Sequence, residues 1–90
     1  MLKPTQHSLD KLEELFMQAG YTIRNEKGNF KSGSCLIETS KIIVLNKFST
    51  VETKVAFLVE SLQKIFVDES LLDEKALKLF HELKQTEINL

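Results

Sequence analysis

The chain is poor in the residues that would declare a chemistry. One cysteine, Cys35, leaves no partner for an internal disulfide, and no zinc-type Cys/His spacing exists. A reducing cytosol is therefore the expected compartment. The two histidines, His7 and His81, sit near opposite ends of the chain, too few and too far apart for the usual catalytic zinc set. No apolar run approaches the roughly 20 residues of a membrane span. The N-terminal Met-Leu-Lys-Pro-Thr-Gln-His has no apolar core of the signal-peptide kind. The expectation is a cytoplasmic protein with no membrane partner, no metal and no cofactor.

Excess charge of either sign is also missing. The net charge is −1, spread as +2 over residues 1–50 and −3 over residues 51–90. The basic side is concentrated in Arg24, Lys27, Lys31, Lys41 and Lys47, opposed there by Glu26 and Glu38. Lysines on exposed strands and loops keep sheet edges soluble, which accounts for this bias without a phosphate ligand. Tryptophan is absent, and the aromatics do not interleave with the cations as a nucleic-acid-binding sheet requires. Tyr21 and Phe30 read as core, and no nucleic-acid partner is expected.

What remains is an ordinary globular composition, 42% hydrophobic and 28% charged over 90 residues. A chain of this length forms one small domain, residues 1–90, burying about 60–65% of the surface its unfolded form exposes. Leu9, Leu12, Leu15, Phe16 and Ala19 recur at helical spacing behind a cap at Ser8, and Gly20 ends that helix. Tyr21-Thr22-Ile23-Arg24 alternates as a short strand. A glycine-punctuated loop from Gly28 leads into a hairpin, Cys35-Leu36-Ile37-Glu38 and Lys41-Ile42-Ile43-Val44-Leu45-Asn46, turning at Thr39-Ser40 or, since Thr-Ser is not the favoured Asn-Gly chemistry, through a longer loop. Its register sets Cys35 opposite Val44, Leu36 opposite Ile43 and Ile37 opposite Ile42.

Ser49-Thr50-Val51-Glu52 is a capping box that opens the strongest helix, expected to run to Val67. Its apolar positions include Val55, Leu58, Leu62, Ile65 and Phe66, with Ala56 allowing close approach. Ser70 and Asp73 signal a third helix, with Leu72, Ala76, Leu79, Phe80 and Leu83 on one face and Leu71 and Leu77 alongside. The order αβββαα predicts an α+β domain: a three-stranded antiparallel meander packed by three helices.

Three catalytic patterns fail on their residues. Glu60 has no histidine on either side, and His81-Glu82 has Gln85 where a zinc hydrolase helix carries its second histidine. Cys35 has no neighbouring histidine, and its phase with Ile37 and Val44 makes it a small buried hydrophobe. Gly28-Asn29-Phe30-Lys31-Ser32-Gly33 lacks the spacing, the Lys-Ser/Thr pair and the following helix of a phosphate-binding P-loop.

Tyr21 to Ile65 resembles a family of small uncharacterised bacterial proteins. The likeness rests on the Gly20-Tyr21 entry, a Lys-Gly-x-Phe-Lys-x-Gly-x-Cys loop (Lys27 to Cys35) and a strand ending Val-Leu-Asn-Lys (Val44 to Lys47). Ser32 departs from the glycine of that family's loop, so two adjacent glycines are not required here. The resemblance covers about half of the chain; it implies a fold and no activity.

The leading expectation is a non-enzymatic protein–protein interaction domain that forms a homodimer through surplus apolar positions, Ile43, Leu45, Leu71 and Leu77. The alternative is a small-ligand or anion-binding module that uses Lys27, Gly28, Lys31 and Gly33 of the loop.

Overall fold

The computed structural model describes residues 3–26, 34–37 and 39–87, with the side chains of all of these except 34–36 and 85–87. Helix α1 (Gln6–Gln18) is followed by strands β1 (Thr22–Glu26), β2 (Ser34–Ile37) and β3 (Ile42–Asn46). Helix α2 (Val51–Lys64), a 3₁₀ turn (Glu69–Leu71) and helix α3 (Glu74–Glu87) complete the chain.

The caps fall close to where the sequence puts them. Thr5, not Ser8, caps α1: its Oγ1 accepts the Ser8 amide at 3.2 Å, and Ser8 is buried inside the first turn. Thr50, not Ser49, caps α2, accepting the Thr53 amide at 3.1 Å. Asp73, not Ser70, caps α3, accepting the Ala76 amide at 2.8 Å, and Ser70 lies in the 3₁₀ turn before it. The end of α1 needs its glycine. Gly20 takes a φ of +95°, where an L side chain is strained, and donates to the Met17 carbonyl while Tyr21 donates to that of Phe16. Those bonds turn the chain into β1 and lay the Tyr21 ring edge-on to Phe16, with centroids 6.0 Å apart.

The antiparallel meander is overturned. The sheet order is β1-β3-β2, with β3 parallel to β1 and antiparallel to β2. The last strand enters between the first two, and the stretch 27–41, which contains β2, acts as the crossover that a parallel pair requires. The β2–β3 register is the one expected from the sequence: Cys35 pairs with Val44, Leu36 with Ile43 and Ile37 with Ile42. The turn differs. The positive φ falls on Lys41 (53°), not on Thr39 or Ser40 as a two-residue primed turn demands, so a longer loop closes the hairpin. Lys41 is thereby placed to accept the Thr22 amide and begin the parallel ladder.

All three helices supply side chains to one core on one face of the sheet. Leu9, Leu12, Leu15, Phe16 and Ala19 of α1 are buried there, as their spacing predicts, with Val55, Leu58 and Leu62 of α2 and Ala76, Phe80 and Leu83 of α3. Ile43 and Leu45 of β3 point into this core and are 0% exposed. They are not surplus surface, which corrects the expected dimer contact. Leu77 packs against the core as well, and of that expected set Leu71 alone is exposed.

Helix α2 stops at Lys64, short of Val67, because the chain becomes extended at Ile65 (φ −105°, ψ 157°). Burial then alternates. Ile65 and Val67 face the core and Phe66 points out at 87% exposure, a period of two that a helical reading of Phe66 misses. Ala56 is exposed and mediates no close helix approach.

The face assignment is testable by alanine substitution. Ile43→Ala should destabilise the domain by about 2–5 kcal/mol, the cost of a core cavity. Val44→Ala should cost about 1 kcal/mol or less. Denaturant unfolding of both variants measures this, and equal losses would contradict the one-sided core.

Candidate interaction surface

Because side chains alternate across a strand, the face opposite Ile43 and Leu45 carries Thr22, Arg24 and Glu26 from β1 and Ile42, Val44 and Asn46 from β3. Ile37 of β2 lies beside Ile42 on the same face, and Cys35 is placed next to Val44 by register. Neither Ile37, Ile42 nor Val44 belongs to the core or packs against it. Ile42 and Val44 are half-buried and Ile37 is 39% exposed. An apolar strip thus runs across a face that no helix among the described residues covers. It is bordered on β1 by an ion pair, Arg24 Nη2 to Glu26 Oε2 at 2.8 Å, with both side chains substantially exposed.

Strand β1 is also an edge. Thr22 donates to the Lys41 carbonyl and Lys47 donates to that of Glu26, so the backbones of Thr22, Arg24 and Glu26 face β3. By the same alternation the N–H and C=O groups of Ile23 and Asn25 point away from the sheet, and no strand among the described residues pairs with them. The Ile23 side chain turns back to the core, so the edge is fixed in place while its outer polar groups stay open.

The other sites expected from the sequence fare differently. Lys27, Gly28, Lys31 and Gly33 lie outside the described residues. Their flanks, Glu26 and Ser34, sit beside Asn46 and Leu45 at the C-terminal end of β3. The Cys35 side chain is likewise outside them. His81 is paired with Glu69, Nε2 to Oε1 at 2.6 Å, both exposed, which ties α3 to the 3₁₀ turn. Among the described residues no group of three or more His, Cys, Asp or Glu is arranged to hold a metal ion, and no helix is long and apolar enough to cross a membrane.

A groove of about 740 Å³ runs between α1 and α3, lined by carboxylates (Asp10, Glu14, Glu82) and lysines (Lys11, Lys75, Lys78) in near balance. This mixture is that of a solvated helix–helix seam. It does not select an anion or a cation. At the groove's end lies a contact the sequence does not signal: Gln18 of α1 accepts the Asp73 amide at 2.7 Å and donates to the Asp73 carboxylate at 2.9 Å. Gln18 thereby joins the end of α1 to the cap of α3. Only Asp73 was legible beforehand, as a cap signal.

Compared with protein-family models, curated proteins and solved structures, the chain matches none.

The Asp73 carboxyl is held below its ordinary value of 3.8 by the Ala76 amide first and Gln18 second, and that of Asp68 is lowered by the Ser70 hydroxyl and amide. A carboxyl lowered in the folded state stabilises fully above its unfolded pKa, and that contribution is lost as pH falls through the folded value. Thermal midpoints should therefore drop on acidification below about pH 4, and Asp73→Asn should flatten that slope. An unchanged acid slope in the variant would contradict the bridge.

Proposed function

We propose that this chain is a non-enzymatic protein–protein interaction domain that associates with itself through the exposed part of its sheet, the face carrying the apolar strip together with the outer edge of β1. One observation carries the reading: the strip of Ile37, Ile42 and Val44 faces outward next to the unpaired edge of β1. Burying such side chains is favourable by about 1.5–3 kcal/mol each when complete, and the second face of a small sheet is a natural place to bury them. Open backbone groups on an edge strand add a directional means of pairing.

Phe48 and Phe66, the two most exposed large apolar residues described, do not form one surface with each other. They flank opposite ends of α2. Fourteen helical residues separate those ends by about 21 Å.

Sedimentation equilibrium over a concentration series tests the proposal. A mass rising to that of a dimer in the micromolar range is expected. A monomer mass maintained to high micromolar protein would overturn it.

A further inference from the structure

We infer that the self-association takes one geometry: β1 pairs antiparallel with β1 of a second copy about a twofold axis at Asn25, with Arg24 opposite the partner's Glu26 and Glu26 opposite the partner's Arg24. The inference rests on the proposed self-association and places its contact at the β1 edge rather than on the sheet face, so the Ile37–Ile42–Val44 strips stay on the open side of the joined sheet.

Parity limits the choices. Only Ile23 and Asn25 turn their backbone groups outward, so a residue of this pair must lie opposite an outward-facing residue of the partner. Centring the pairing on Arg24 satisfies the backbone, but it places two guanidinium groups directly opposite one another, which is destabilising. Centring it on Ile23 sets Arg24 opposite the partner's Thr22, with no opposite charge to meet. Centring it on Asn25 makes Asn25 and the partner's Asn25 the hydrogen-bonded pair on the axis. Arg24 and Glu26 then meet the partner's Glu26 and Arg24 at the closer, non-hydrogen-bonded positions, where side chains approach best.

The two residues suit this arrangement because of where they already are. They lie two positions apart on one face, exposed, and bonded to each other within the chain at 2.8 Å. Pairing about the axis converts two such ion pairs into a cluster of four alternating charges. A charge that merely guards a sheet edge against association needs only one sign. This edge carries one of each, at the spacing a twofold requires, so it is complementary to itself.

The resulting sheet has six strands with a single helix-free face. A twofold axis perpendicular to the sheet brings both copies of the Ile37–Ile42–Val44 strip to the same side.

The test is a charge-swap mixing experiment. Arg24→Glu alone sets four acidic groups together and Glu26→Arg alone sets four basic groups together, so each variant should dimerise at least about tenfold more weakly than the unaltered protein. Both sites are exposed, and unchanged thermal midpoints at low concentration confirm that each variant folds. Mixed in equal amounts, the two variants should form a heterodimer, resolved by native mass spectrometry, because every opposite pair is again of unlike charge. The double variant carrying both substitutions should recover the homodimer. If the unaltered protein dimerises but the single variants dimerise equally well, or their mixture gives no heterodimer, this geometry is wrong and self-association uses another surface. If the unaltered protein stays monomeric, self-association itself falls.

Discussion

The domain is organised by a gap. Strands β1 and β2 are separated by the width of a strand, and β3 enters that space last, hydrogen-bonded to both. The two ladders pair the backbone of the central strand with β1 on one side and with β2 on the other. This allows Ile43 and Leu45 to be wholly enclosed without leaving buried backbone unpaired. The other elements depend on this strand. The Lys41 carbonyl at its start anchors β1, the Lys47 amide at its end closes the same ladder, and α2 begins four residues later. Until β3 arrives, β1 has no strand to pair with, so its place in the sheet is set by contacts about twenty residues apart in sequence.

The helices are tied together outside the apolar core as well as within it. Gln18 and Asp73 exchange two hydrogen bonds across 55 residues, fixing where α3 starts relative to where α1 stops. Gln63 of α2 reaches the Leu83 carbonyl of α3 at 3.1 Å. These contacts hold all three helices to one side of the sheet. The exposure of the other side is a consequence of that arrangement.

Local features were largely legible in the sequence: the α1 stripe, the glycine stop at Gly20 and the β2–β3 register. Each depends on neighbours within a few residues. Strand order was not, since period-two alternation says which side chains share a face but not which strand lies alongside. The face of β3 that meets the helices was hidden for a related reason. Ile42, Ile43, Val44 and Leu45 are apolar on both sides, so hydrophobicity could not choose between them. The deciding signal was in β1, where Tyr21 and Ile23 are apolar while Thr22 and Arg24 are polar. Once β1 is known to run parallel to β3, Ile23 beside Ile43 identifies the core face. A helical period continued past Lys64 misplaces Phe66, because the chain becomes extended at Ile65. The candidate surface was legible only as an excess of apolar positions; its location required the sheet order.

Residue-resolved amide hydrogen exchange at two protein concentrations, one below and one above self-association, tests the central claim most directly. In β1 the Arg24 and Glu26 amides face β3 and should exchange slowly at both concentrations. The Asn25 amide faces outward and should exchange rapidly when dilute, becoming protected only when concentrated. Rapid exchange of Arg24 at both concentrations would contradict the place of β3 in the sheet, and an Asn25 amide indifferent to concentration would contradict the pairing of its edge.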